Sequence, residues 1–251
     1  MGDVWVFPVG GSGGTRITAG GGRDFGAEWT PDGRELIYIN EAPYFDLYRR
    51  AADASRPAQP LLTGGHDHYP GSVSADGHLL AYVLSVSGGV ELWTVPLQGE
   101  PTPTRYLSNG FNLAHPAISP DGRWMAYDSD ESGRVEVYAQ SFPNPDQKRW
   151  KVSPAQGSEP VWTRDGRELI YRKGDSVMAV SVDLARGQTG EARVLFAGPY
   201  PDNPGWTRPR SYDVSRDGER FLMTKLPKAQ LRPRIAVVVN WFDELRAKVP
   251  R

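Results

Sequence analysis

Short apolar runs alternate with turn signals at a nearly constant beat along this chain. The stretch ISPDGRWMAYDSDESGRVEVYAQSF, from Ile118 to Phe142, reads as a turn, an apolar run, a polar turn and a second apolar run. It recurs: WTPDGRELIY begins at Trp29, VSADGHLLAY at Val73, ISPDGRWMAY at Ile118, WTRDGRELIY at Trp162 and VSRDGERFLM at Val214. The turn aspartates Asp32, Asp76, Asp121, Asp165 and Asp217 stand 44, 45, 44 and 52 residues apart. In each copy an apolar residue and a Ser or Thr end one strand. Pro31 or Pro120 presets φ at the first turn position, the Asp bonds back to the turn backbone, and the Gly takes the left-handed conformation that closes a hairpin. Runs such as Leu36-Ile37-Tyr38 and Met125-Ala126-Tyr127 then supply the second strand.

A further pair of strands fits between copies. DLYRRA from Asp46, VELWTVPL from Val90, VEVYAQSF from Val135 and SVMAVSV from Ser176 read as third strands; the weaker QPLLTGG, TRYLSNG, RWKVSPAQG and ARVLFAG follow as fourth strands. Four strands in a unit of about 44 residues is the arithmetic of a β-propeller blade. The predicted fold is all-β, a β-propeller of four-stranded antiparallel blades, about six of them with the first incomplete. No segment before the C-terminus has the 3.6-residue period that a helical solenoid needs.

The ends do not fit a whole number of blades. DVWVFPVGGSGGTRIT, from Asp3 to Thr18, matches the third and fourth strands of a blade, and RIAVVVNWF from Arg234 a third strand. Residues 1–251 are therefore expected to form a single β-propeller domain: 1–20 the outer strands of a partial blade, 21–233 the repeated blades, and 234–251 a closing strand and short helix. That helix, NWFDELRAKVP, places Trp241, Phe242, Leu245 and Val249 at helical spacing. Blades bury both faces, so Trp29, Tyr38, Tyr48, Tyr82, Trp93, Trp124, Tyr127, Tyr138, Trp162 and Tyr171 are expected in the wedges between them.

Composition narrows the function. The 28 Gly and 22 Pro agree with many turns, and a net charge of −1 gives no global field for nucleic acid or an anionic membrane. Residues 205–251 carry +6 against −7 for the rest, which reads as a solvated basic face. With no cysteine, disulfides and thiolate chemistry are excluded. No apolar stretch approaches the roughly 18 residues of a membrane helix, so no membrane insertion by this chain is expected.

Four motifs invite chemistry. Asp24-Phe25-Gly26 spells a kinase triplet without the glycine-rich loop, strand lysine or catalytic loop a kinase needs. Gly10-Gly11-Ser12-Gly13-Gly14 matches a nucleophile elbow but reads as a hairpin turn. His66-Asp67-His68 could offer two imidazoles to a metal and lacks a third ligand. Asp128 to Gly133 begins like a calcium loop, but the twelfth position is Ala139. No catalytic set, metal or cofactor is expected.

The repeat resembles the TolB-type, WD-repeat-like β-propeller, in which SPDG followed by an apolar-Ala-Tyr strand marks each blade. From Ile118 to Glu244, the runs ESGRVEVYAQSFP and NWFDEL are similar to the C-terminal propeller of bacterial, notably acidobacterial-type, eukaryotic-like serine/threonine protein kinases. The resemblance implies a non-catalytic binding or sensory propeller, extracytoplasmic if a membrane span precedes it and otherwise cytoplasmic. Its partner is expected to be a protein, peptide or cell-envelope ligand, and not nucleic acid. The alternative is the gating propeller of a prolyl-oligopeptidase-like or tricorn-like serine peptidase; a metal-dependent lyase or lactonase is a third reading. Binding residues are expected on the funnel rim, in the loops between a fourth strand and the next first strand: Arg23, His66, His68, Asn112, His115, Glu159, Trp206, Arg208 and Arg210. The last of these loops, 203–211, is the longest and sets a Trp among arginines.

Overall fold

The computed structural model describes residues 2–20, 22–200, 205–215, 218–225 and 234–238. Every regular element among them is a strand. A two-stranded sheet, β1 (Trp5–Val6) and β2 (Thr15–Arg16), comes first. Four antiparallel four-stranded sheets follow. Blade 1 is β3 (Arg23–Trp29), β4 (Glu35–Ala42), β5 (Tyr44–Ala51) and β6 (Gln59–Leu62). Blade 2 is β7 (His68–Val73), β8 (Leu79–Val86), β9 (Gly89–Pro96) and β10 (Thr104–Leu107). Blade 3 is β11 (Leu113–Ile118), β12 (Trp124–Ser129), β13 (Glu136–Ser141) and β14 (Arg149–Lys151). Blade 4 is β15 (Ser158–Trp162), β16 (Glu168–Lys173), β17 (Ser176–Asp183) and β18 (Gln188–Ala197). Blade 5 has three described strands, β19 (Tyr212–Val214), β20 (Phe221–Lys225) and β21 (Arg234–Val238). The expected C-terminal helix and Asp217 lie outside the described residues.

The repeated turn works as its residue types demand. In blade 3 the Ser119 hydroxyl donates to Asp121 Oδ1 at 2.6 Å, and that oxygen accepts the Arg123 N–H at 3.1 Å. Ser119 Oγ in turn accepts the Trp124 N–H at 3.0 Å, and the Gly122 N–H bonds to the Ser119 carbonyl with Gly122 at φ 68°. Thr30, Ser74 and Thr163 repeat the pattern with Asp32, Asp76 and Asp165. These four first-to-second-strand hairpins are thus locked by their own side chains.

Packing between blades uses both faces of each sheet. Val161, Ile170, Val177 and Ala179 of blade 4 meet Tyr212, Phe221 and Met223 of blade 5. Its opposite face, with Trp162, Leu169, Tyr171, Met178 and Val180, meets Ala117, Ala126, Val137 and Ala139 of blade 3. Polar ties cross the seams as well: Trp162 Nε1 donates to the Ala117 carbonyl at 2.9 Å between blades 4 and 3, and Tyr106 Oη to the Ser141 carbonyl at 2.8 Å between blades 2 and 3. Val4 and Ile17, flanking β1 and β2, cover Leu36 and Tyr38 on the outward face of blade 1.

Inner strands of blades 1 to 5 surround a central cavity of about 720 Å3, lined among others by Glu28, Ser72, Ala117, Val161 and Tyr212. One expected core residue departs from the pattern. Trp29 is 44% exposed because β1 and β2 cover only the outer part of that face of blade 1. It lines the cavity together with Leu222 of blade 5, itself 47% exposed.

Candidate functional site

Each first strand of blades 1 to 4 carries a bulge close to its start: the register shifts between Phe25 and Glu28, Pro70 and Ser72, Ala114 and Ala117, and Ser158 and Val161. Six residues before the turn aspartate stand Gly26, Pro70, His115 and Glu159. His115 and Glu159 hold positive φ values of 49° and 55°, a conformation that costs about 1–3 kcal/mol in a residue with a side chain. The bulge lets the strand run on to the rim. This corrects the expectation that these are loop residues: Arg23, His68, His115 and Glu159 all sit on the innermost strands β3, β7, β11 and β15.

Residues 205–211 cross the funnel and tie four blades together. Trp206 packs on the cluster shared by blades 1, 2 and 3. The Thr207 side chain is hydrogen-bonded with the Tyr69 hydroxyl of blade 2. Pro209 lies against Gly26, where a Cβ would come within 2.7 Å of its Cγ. Arg210 Nη2 reaches both Glu28 oxygens at 2.9 Å, closing blade 5 onto blade 1. Ser211 donates to Glu159 Oε2 through its N–H at 2.5 Å and its hydroxyl at 2.7 Å, and Tyr212 Oη donates to the Glu159 carbonyl at 2.8 Å.

This strap separates two spaces. Arg210 and Ser211 line the central cavity, while Gly205 and Trp206 line a second cavity of about 400 Å3 with His115, Asp128, Val135, Gly157, Arg172 and Gly174. In that second space His115 Nδ1 sits 2.9 and 3.1 Å from the Asp128 oxygens, both residues being buried. Burial opposes charge on the His115 ring, but the Asp128 and Glu159 carboxylates raise its pKa above the ordinary value. Glu28 is pushed up to about 7 by burial, against the pull of Arg210. Burial likewise works against the Arg210 charge, yet Glu28 and Asp213 raise its pKa still further. Burial and the Glu159 charge hold Tyr212 well above the phenol range, so its hydroxyl stays a donor.

Arg23, His66, His68 and Asn112 make their described contacts outside this cluster. Arg23 is exposed over the Phe25 ring and pairs with Glu41 at 3.6 Å. His66 is exposed, whereas His68 is buried against Tyr82 with Nδ1 3.3 Å from the Phe45 carbonyl, and burial lowers its pKa. Asp67 accepts the Phe45 N–H at 3.0 Å, so this triplet fastens blade 2 to blade 1. Asn112 bonds Asp130 through its backbone at 2.9 Å and its amide at 2.7 Å, and Arg208 is exposed.

Asp128, Arg172 and Glu28 are site residues that the reading of loops missed. A signal existed. The residue after the second-strand tyrosine is Ile39, Val83, Asp128 and Arg172 in the four copies, so blades 3 and 4 set a charge where blades 1 and 2 bury an aliphatic side chain.

The sequence pattern of the TolB beta propeller domain matches residues 64–224. Among solved structures, TolB from Acinetobacter baumannii superposes with a TM-score of 0.72 at 16% identity, covering 92% of this chain and 55% of its own. An oligogalacturonate lyase in complex with manganese gives a TM-score of 0.61 at 19% identity, over 92% of this chain and 65% of its own. A prolyl endopeptidase gives 0.51 at 15% identity, over 81% of this chain and 32% of its own. The chain thus spans little more than half of the Acinetobacter protein, and at these identities the likeness concerns the fold. The match over residues 64–224 and the blades that carry it make this chain a member of the TolB β-propeller family.

Proposed function

We propose that this chain is a non-catalytic binding propeller that recognises a protein, peptide or cell-envelope ligand at its funnel mouth. We further read it as the C-terminal sensory part of a serine/threonine kinase-linked protein. The observation that carries the binding role is the composition of one face. Because strands alternate in direction, the fourth-to-first and second-to-third connections share that face, around the strap. Exposed there are Arg23, Tyr44, His66 and Phe111, the last 48% exposed. Aromatic and cationic side chains on a rim are the composition of an interface hot spot. The kinase link is supported by the resemblance of the run from ESGRVEVYAQSFP to NWFDEL.

A photo-reactive residue placed at Phe111 tests the binding role, with one at Asp32 on the opposite face as control. In envelope extracts a discrete crosslinked species is expected from the Phe111 probe and not from the Asp32 probe; equal labelling from both faces refutes the assignment. For the kinase link, the reading frame upstream of Met1 is expected to encode a kinase domain. A hydrolase domain in the same gene excludes it.

A further inference from the structure

Arg172 is a buried cation with no carboxylate partner among the described residues, its guanidinium carbon lying 6.0 Å from the centre of the Tyr200 ring. It is 1% exposed, and its only described hydrogen-bond acceptors are backbone carbonyls: Nη2 reaches Gly174 at 2.7 Å and Tyr200 at 3.4 Å. Among the described residues its Nε and Nη1 have no hydrogen-bond partner, and no carboxylate lies within 4.0 Å of it. A buried guanidinium without a counter-ion is costly, and charges in protein interiors are ordinarily paired.

The repeat shows where that partner went. In blade 3 the bulge residue His115 pairs with Asp128. Blade 4 places Glu159 and Arg172 at the corresponding positions, so the same geometry would give an ion pair. Glu159 instead accepts both Ser211 donors of the strap. Arg172 is left facing the cavity of about 400 Å3, whose walls also present His115, with Nε2 buried and unpartnered.

We infer that this cavity is a binding site for a small monocarboxylate, with Arg172 as its counter-ion and His115 Nε2 as a second polar contact. Charge decides between a carboxylate and a doubly charged phosphate. The buried carboxylates Asp128 and Glu159 stand close by and repel a second negative charge, and Arg172 is the buried cation of the wall, Lys173 beside it being exposed to solvent. Size agrees, because small-molecule pockets commonly measure about 300–1,000 Å3. The wall formed by Val135 and Trp206 beside Gly157, Gly174 and Gly205 leaves room for a flat apolar body behind the carboxylate. This goes beyond the proposed binding role by adding a small-molecule site whose lining is separate from the exposed rim residues.

Isothermal titration calorimetry on the whole chain with benzoate, benzamide and inorganic phosphate tests the site. One-to-one binding of benzoate is expected, with benzamide and phosphate each weaker by about tenfold or more, the loss that follows from removing one charge-assisted hydrogen bond. Arg172→Gln is expected to weaken benzoate by a similar factor, and His115→Gln by less. Circular dichroism checks that each variant is folded. If Arg172→Gln does not fold, the Tm of the unaltered chain decides instead, and it must rise with benzoate and not with benzamide. Absence of benzoate binding, benzamide binding as tight as benzoate, or a preference for phosphate each overturns the inference. The crosslinking at Phe111 reports on the rim and stands or falls separately.

Discussion

Residue-scale electrostatics make this ring sensitive to pH. In the unfolded chain Glu28 ionises near 4.5, whereas in the ring burial moves it to about 7. Between those values the folded state holds the extra proton, so the contribution of Glu28 to stability is complete below pH 4.5 and is lost as pH rises through about 7. His115 acts with the same sign, since the Asp128 and Glu159 carboxylates raise its pKa against burial: its contribution is present below 6.5 and declines as pH passes its folded value. The turn aspartate Asp76, held below its ordinary range by the Ser74 hydroxyl and the His78 N–H, loses its contribution only in more acid solution. The thermal midpoint is therefore expected to be higher near pH 5 than near pH 8. Glu28→Gln should flatten much of that slope; melting curves across the range would show it, and an unchanged slope rules Glu28 out as the source.

Among elements, the strap is the part whose behaviour separates from the blades. Gly26 has φ 63°, and a Cβ there would come within 2.7 Å of Pro209. Gly26→Val adds both a strained conformation and a clash with the strap. The expected result is faster amide exchange and easier proteolysis in residues 205–211. Exchange in blade 3, whose turn is closed by bonds within residues 119–124, should be unchanged. Hydrogen-exchange mass spectrometry measures both. The blades themselves were legible in the sequence because each turn is a local device, with donor and acceptor two to five residues apart. The strap was legible only as a long loop. What it touches depends on Glu28, Tyr69 and Glu159, which lie in three different blades.

For the whole molecule the decisive contact is Arg210 with Glu28, which joins positions 182 residues apart and closes the inner strands around the axis. Arg210→Met leaves a carboxyl group without its partner and is expected to cost about 2–4 kcal/mol in urea unfolding, somewhat under the cost for a fully buried pair. Glu28→Leu in the same chain should recover part of that loss, because the two substitutions remove the pair together. Additive losses would show that the pair is not coupled.

Periodicity alone determined the number of hairpins, the four-strand unit and the burial of residues such as Tyr82, Tyr127 and Tyr171, since these follow from turn chemistry and alternation within about 44 residues. It also misplaced Trp29, whose burial depends on what stands across a seam. The bulges that carry His115 and Glu159 onto inner strands, and the strap that draws Glu159 away from Arg172, were decided only by the tertiary structure. Their partners lie in other blades, and a repeat read along the chain contains no information about which blade closes on which.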